Sequence, residues 1–237
     1  MTVESVCSKH SASVFSDKDG KDAGEGAQAL GKVASVSAEH VDPIIRECHF
    51  RVACDVTNPL CGENGATYIY GPQKGVTDEL KETIDRDMAH YAEVIEASFG
   101  CCCTGAKGAG AAGGLGFAFM SCLNAKLTPG IDLILDAVGL EAELVDADVV
   151  VTGEGRLDHQ TAMGKAPAGV ARLAKKYGAK VIAFAGSVTP EASACNEAGI
   201  DAFFPIVRGV TTLEEAMKPE TAKTNMKLAA EQVFRLL

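Results

Sequence analysis

The chain contains no tryptophan, and aromatic residues make up only 5% of its 237 positions. With 25 glycines and 47% hydrophobic residues, this mix suits an Ala/Gly/Val-rich α/β enzyme better than a β-sandwich. It also supplies enough apolar surface for a real core, which argues against disorder. No run of about 18 or more apolar residues occurs, so a membrane-spanning helix is not expected. No secretory signal pattern opens the sequence, and the expectation is a soluble, cytoplasmic protein. Positive charge is also short: the formal net charge is −10. Such a chain repels phosphate backbones and disfavours nucleic acid as a partner, although a local cluster of donors can still hold a nucleotide. The nine cysteines include Cys7 and the run Cys101-Cys102-Cys103 but no Cys-x-x-Cys pair. Adjacent residues seldom converge on one zinc ion, so free thiols in a reducing cytosol are expected. The length fits one large domain or two small ones.

Along the chain, Ser16-Asp17-Lys18-Asp19-Gly20-Lys21-Asp22 lacks the closing bidentate glutamate of a calcium loop and reads as a turn between short strands. Ala27 to Val33 reads as a short helix or turn. Phe50 to Val56 alternates as a strand and exits into Asp55-Val56-Thr57-Asn58-Pro59, where Asn-Pro signals a turn. Thr67 to Gly75 is a strand or short helix broken by a turn carrying Gln73 and Lys74. Thr77 is placed to cap a long helix, with Leu80, Ile84, Met88, Tyr91 and Ile95 on one face. Gly108-Ala109-Gly110-Ala111-Ala112-Gly113 fits the dinucleotide pattern in letters, but no strand pattern precedes it. It reads better as a glycine-rich helix start. After Pro129-Gly130 the pattern becomes regular: helix from Ile131 to Val145, strand from Asp148, helix from Lys165 to Tyr177, strand Lys180 to Ala185, short helix, strand Ala202 to Val207, helix. Helices alternating with short apolar strands imply a parallel sheet. Three strands are few for such a sheet.

Chemistry concentrates in Val151-Thr152-Gly153-Glu154-Gly155-Arg156-Leu157-Asp158-His159-Gln160-Thr161-Ala162-Met163-Gly164-Lys165. A β-branched run stops at Gly-Glu-Gly, and a loop with both charge signs follows before the next helix. Ligands of open α/β sheets sit at such strand exits. Two carboxylates close to cations suit phosphoryl transfer, which needs a carboxylate to take a hydroxyl proton, carboxylate-held metal and cations on phosphate oxygens. The spacing to Lys165 is wrong for a Walker A loop. No nucleophile elbow surrounds Ser187, and His159 has no partner at triad spacing.

This stretch resembles the signature of the type I glycerate kinases. The resemblance extends, in the same order, to Ala53 through Leu60 with Gly71-Pro72-Gln73-Lys74-Gly75, to Gly108 through Gly116, to Pro129-Gly130-Ile131-Asp132, and to Val181 through Ser187. It runs from about Val14 to the C-terminus. It implies ATP- and Mg²⁺-dependent phosphorylation of D-glycerate. It also implies a Rossmann-like parallel-sheet domain built from both ends of the chain, with a second α/β domain inserted, and an active site in the cleft. On that template residues 1–128 look like most of the inserted domain and residues 129–237 like the C-terminal half of the Rossmann-like domain. The family's opening Asp-Ser-Phe-Lys-Gly segment and its later Asp-Gly-Gly-Glu-Gly and Gly-Gly-Ser-Ala-Thr-Asn-Asp-Gly-Gly segments are not in this sequence, so it resembles an N-terminally truncated member.

The expected roles follow from that resemblance. Asp158 and Glu154 are the metal and proton-accepting candidates. Arg156 and Lys165 are the cations for phosphate or the glycerate carboxylate. Gly153, Gly155 and Gly164 keep the backbone near ligand, with Gln160 and Thr161 beside them. Asn58, Gln73 and Lys74 are the binding residues of the other domain. The alternative is an inactive ligand-binding or interaction unit, and a weaker one a nicotinamide-dependent oxidoreductase resting on Gly108–Gly113. An incomplete sheet edge would favour a homo-oligomer.

Overall fold

The computed structural model describes residues 14–237, so Cys7 lies outside the described residues. The chain forms two compact units, one ending at Gly130 and one running from Ile131 to Leu237.

In the first unit, β1 (Val14–Ser16) pairs antiparallel with β2 (Ser35–Ser37). The acidic run after β1 is a turn: Asp17 Oδ1 accepts from the N–H groups of Asp19 and Lys21, both at 2.9 Å. A short parallel pair joins β3 (Arg51–Ala53) to β4 (Lys126–Thr128). The strand expected over 50–56 is cut short because Asp55 leaves the ladder and accepts from Gly130 N–H at 2.8 Å.

Helix α1 (Ala66–Tyr70) and a 3₁₀ turn, Pro72–Lys74, lead into the long α2 (Asp78–Phe99). Thr77 stands at the N-cap position in extended backbone but makes no capping hydrogen bond. Its hydroxyl instead helps hold the Glu79 carboxyl below the usual range. The predicted apolar stripe is buried only from Met88 onward, at Met88, Tyr91, Ala92 and Ile95, whereas Leu80 is exposed. Tyr91 stands between Phe15 and Phe117, with ring centroids 5.9 and 6.1 Å away, tilted against the first and edge-on to the second, the latter an arrangement that aromatic pairs favour. Phe117 comes from α3 (Leu115–Leu123).

The cysteine run closes α2. After Gly100 turns left-handed, Glu96 Oε1 accepts from the N–H groups of Cys103 and Thr104, at 2.6 and 2.7 Å, and from the Thr104 hydroxyl at 2.8 Å. All described cysteines are free. Burial, with Cys103 and Glu96 beside it, pushes the Cys101 thiol up to about 12. Burial, with Asp85 and Glu96, does the same to Cys61. These thiols stay protonated at neutral pH and pack as small apolar groups.

The glycines of Gly108–Gly116 are there for packing. A Cβ on Gly110 would lie 2.3 Å from the Pro59 carbonyl oxygen, and one on Gly116 would lie 2.0 Å from that of Gly108. No strand precedes the segment, so the dinucleotide fingerprint lacks its context.

The second unit begins with α4 (Gly130–Ala137) and α5 (Leu140–Glu143). The single helix expected over 131–145 is broken at Gly139, whose φ is 67°. Leu135 and Leu144 are buried, but Ile134 on α4 and Val138 just after it, which the spacing also marks as interior, are exposed. Then come β5 (Val149–Leu157), α6 (His159–Ala162), α7 (Ala166–Lys175), β6 (Lys180–Val188), α8 (Ala194–Glu197), β7 (Ala202–Pro205), α9 (Leu213–Ala216) and α10 (Pro219–Phe234). The strands form a parallel sheet in the order β5-β6-β7. Val181, Ala183 and Ala185 of β6 face one buried cluster with Ala171 and Ala174 of α7. Ile182 and Phe184 face the other with Val233 of α10. A strand buried on both faces in this way reads as a continuous apolar run.

Both β5 and β6 run past the glycines at which they were expected to end. The reason is close strand pairing: a Cβ on Gly153 would meet the Phe184 carbonyl oxygen at 2.2 Å, so glycine lets the ladder continue through Glu154↔Ala185 to Leu157↔Val188.

Asp201, at the start of β7, ties three elements together. It accepts from the Val181 N–H at 2.6 Å and from the Lys175 ammonium, and these bonds, Lys175 first, hold its carboxyl below the usual range. A depressed folded-state value stabilises the fold above the unfolded value, about 3.9, and the gain is lost as pH falls through the folded one. Asp201→Asn is therefore expected to lower stability at pH 7, with the difference from wild type vanishing at acid pH. Urea unfolding across pH 3–7 checks this.

Candidate active site

The end of β5 is fixed by burial. Leu157 is fully enclosed in the second unit's core, which forces the chain to turn out at Asp158. Asp158 then caps α6: its Oδ1 accepts from Gln160 N–H at 2.9 Å and Thr161 N–H at 3.3 Å. Thr161 Oγ1 in return accepts from Asp158 N–H at 3.2 Å, closing a capping box. The same Thr161 hydroxyl donates to Glu154 Oε1, and Thr161 is completely buried. One hydroxyl thus fixes both carboxylates, Glu154 directly and Asp158 through its backbone.

Lys165, at the N-cap position of α7, brings its Nζ to 3.9 Å from Asp158 Oδ1, with both side chains partly exposed. A pair this long and this wet contributes little stability and leaves the ammonium available to a ligand. Gly164, with φ 108°, makes the turn between α6 and α7 that a side-chain residue would strain. Gly155 faces open space, with no atom within 4 Å of where a Cβ would stand.

The neighbouring strand exit adds two residues. Cys195 lies beneath the cluster, 3.8 Å from the Asp158 carbonyl oxygen. Burial, then the charges of Glu154 and Asp158, push its thiol up, which keeps it neutral and unsuited to nucleophilic attack. Glu191 follows β6, where the nearby Thr189 hydroxyl and its own N–H hold its carboxyl below the usual range. Arg156 adds to that effect and Asp158 opposes it. No motif in the sequence marks Glu191. Its signal was positional: Thr189-Pro190-Glu191 leaves the strand next to β5, and neighbouring exits of a parallel sheet share one rim.

The rim therefore carries three carboxylates, Glu154, Asp158 and Glu191, against two cations, Arg156 and Lys165. Among the described residues no three His, Cys, Asp or Glu side chains form a metal cage. Mg²⁺ does not need one, since it is commonly held by one or two carboxylates together with substrate phosphates. The paired Glu154 and Asp158 fit that requirement. Gln160 and His159 are exposed, and the Gln160 backbone N–H is already used by Asp158. Thr161, expected among the binding residues, has its hydroxyl buried and engaged, which makes it a positioning residue.

Asn58, Gln73 and Lys74 form a separate group in the first unit. The Tyr70 hydroxyl donates to Asn58 Oδ1 at 2.7 Å, and Asn58 Nδ2 donates to the Asn64 carbonyl oxygen at 2.8 Å, so the amide braces its own loop. Gln73 and Lys74 are exposed on the 3₁₀ turn.

The model of the Glycerate kinase family matches residues 11–237. The chain belongs to the glycerate kinase family. It is 45% identical to a glycerate kinase of Bacillus subtilis over 85% of this chain and 53% of that protein. It is 43% identical to a glycerate 2-kinase of Escherichia coli, with the same coverage of each. A solved structure from Salmonella typhimurium LT2, provisionally described as glycerate kinase 2, superposes with a TM-score of 0.74 at 40% identity. That match covers 93% of this chain and 59% of that one. The chain thus spans about half the length of the curated relatives it matches.

Thr161→Val keeps the buried volume but removes the hydroxyl that holds both carboxylates. A loss of about 1–3 kcal/mol is expected from the broken cap and the unpaired buried groups. Thr161→Ser should retain most of the stability, and denaturant unfolding of the two variants compares them.

Proposed function

We propose that this chain carries the phosphoryl-transfer residues of a glycerate kinase, which phosphorylates a D-glycerate hydroxyl with ATP. The supporting observation is the single buried hydroxyl of Thr161 that fixes Glu154 and Asp158, with Lys165 beside Asp158. Phosphoryl transfer asks a protein for positioning and charge rather than covalent chemistry, and this rim is pre-positioned.

One of the two carboxylates accepts the glycerate hydroxyl proton as the oxygen attacks the terminal phosphorus. Asp158 is the first candidate, because its orientation is fixed by the cap. Glu154, tethered by Thr161, is the partner. Mg²⁺, when bound by these carboxylates and the phosphates, supplies charge neutralisation. Arg156 suits the planar glycerate carboxylate, which its guanidinium can grip with two parallel bonds. Lys165 neutralises charge on the transferring group. The two-face-covered parallel sheet is read as the C-terminal part of a Rossmann-like domain, and the first unit as the α/β domain inserted into it. No described helix is long and apolar enough to cross a membrane.

A second reading is an interaction unit that binds ligand without turnover. It is favoured by the apolar side chains of Ile134, Val138 and Val151 left exposed on the second unit.

The test is to supply the chain with ATP, Mg²⁺ and D-glycerate and to measure ADP together with 2- and 3-phosphoglycerate. Turnover is expected, and Asp158→Asn should lower it by about 10²-fold or more, the range of a lost general base. Nearly full turnover in Asp158→Asn would remove Asp158 from this role. Ligand binding without product would favour the second reading.

A further inference from the structure

The three strands of the second unit end around a cavity of about 260 Å³, close to the smallest sites for small organic ligands, about 300 Å³. Gly155 of β5, Gly186 and Ser187 of β6, and Ile206 just after β7 all stand in its wall. The Ile206 N–H donates to the Ala185 carbonyl oxygen at 2.7 Å, which draws the chain beyond β7 alongside the end of β6. Ligands of open parallel sheets bind outside the carboxyl ends of the strands, and this cavity lies there.

Most of the wall is apolar: Ile206, Val207, Leu213, Ala216 and Met217. Leu213 and Met217 keep most of their surface in water, and an apolar ligand seated between them would remove it. One amide interrupts this wall. Asn225 of α10 is half-buried and lines the cavity. Its side chain makes no hydrogen bond among the described residues, yet its polar atoms are not sealed from solvent. An amide offers a donor and an acceptor side by side, the complement of the ring nitrogen and amino group on one edge of adenine.

The cavity adjoins the rim within the same unit. Gly155, in its wall, directly follows Glu154, and Ser187 stands opposite Arg156. A Cβ on Gly155 would meet no atom within 4 Å, so the strand end between cavity and rim is bare backbone with open space above it.

We propose that this cavity seats the adenine end of the phosphoryl donor, with the Asn225 amide on the base edge and the phosphates led over Gly155 to Lys165. The assignment rests on the kinase reading and adds to it which residues hold the donor. Glycerate suits the cavity poorly: it is polar at every carbon, and the apolar walls would leave most of its oxygens unpaired. A flat heteroaromatic ring buries against such walls and needs few hydrogen bonds.

Calorimetry on the whole chain tests this with ADP, adenosine, inosine and D-glycerate as separate probes. Adenosine and ADP are expected to bind, and inosine, which lacks the amino group, more weakly. Asn225→Ala should weaken adenosine and ADP by about tenfold, the effect of one paired amide edge, and abolish the preference over inosine. Its Tm should hold or rise, since alanine is the better helix residue; a merely structural amide would leave binding alone. Met217→Asp, at an exposed position, should weaken both nucleoside probes without lowering Tm. Lys165→Met should weaken ADP and leave adenosine within about twofold. The proposal is overturned if neither adenosine nor ADP binds saturably, or if D-glycerate alone responds to Asn225→Ala and Met217→Asp. It is equally overturned if phosphoglycerate forms and the KM for ATP ignores both of those variants, a result that leaves the kinase reading standing. Adenosine binding that follows the variants, with no product formed, supports the cavity and counts against the kinase reading instead.

Discussion

The second unit depends on one strand that is hydrogen-bonded along both edges and buried on both faces. Lys180–Val188 pairs with Val149–Leu157 on one side and Ala202–Pro205 on the other, while its side chains alternate between two apolar clusters. Each buried methylene contributes on the order of 0.8 kcal/mol, so the stretch from Val181 to Ala185 anchors the sheet. Because the partner strands are registered on it, the exits after Leu157 and Val188 emerge side by side. The candidate chemistry is a consequence of that register: Arg156 stands opposite Ser187, and Glu191 falls within electrostatic reach of Arg156 and Asp158.

At the rim, the candidate chemistry is layered on capping. The Asp158 and Thr161 exchange that starts α6 is ordinary helix-terminus chemistry, satisfying donors that a helix leaves open. Its extension to Glu154 turns a local cap into a device that holds two carboxylates in fixed relation. Buried polar groups are worth most when every member is satisfied, and Thr161 uses its hydroxyl both as donor and as acceptor. The contrast with Thr67 is instructive. Both threonines are buried, but of the two only the Thr67 hydroxyl is left without a partner.

The exposed apolar side chains have a related origin. Ile134 on α4 and Val138, one residue past its end, remain exposed, and Val151 lies on the edge strand β5. The sequence pattern marks these positions as interior, because periodicity reports which residues could be buried and not whether anything covers them. The helix that the spacing predicts over 131–145 is divided for a similar reason. Its spacing was continuous, but Gly139 adopts a positive φ and divides it.

The amino-acid sequence by itself determined the alternation of helix and strand after Pro129, the parallel sheet it requires, the long helix after Thr77, and the concentration of charge between Glu154 and Lys165. All of these are set by local periodicity, propensity and turn chemistry, which act over a few neighbouring residues. The ordered motifs also carried the family. Only the tertiary structure decided that Thr161 is an internal brace and that the glycines at 110, 116 and 153 are demanded by neighbouring carbonyl groups. It alone brought Glu191 to the Asp158 rim and placed Thr67 and Lys74 in the wall of one cavity. These facts depend on contacts between residues tens of positions apart, and no local pattern encodes which distant backbone or side chain will occupy the other side of a gap.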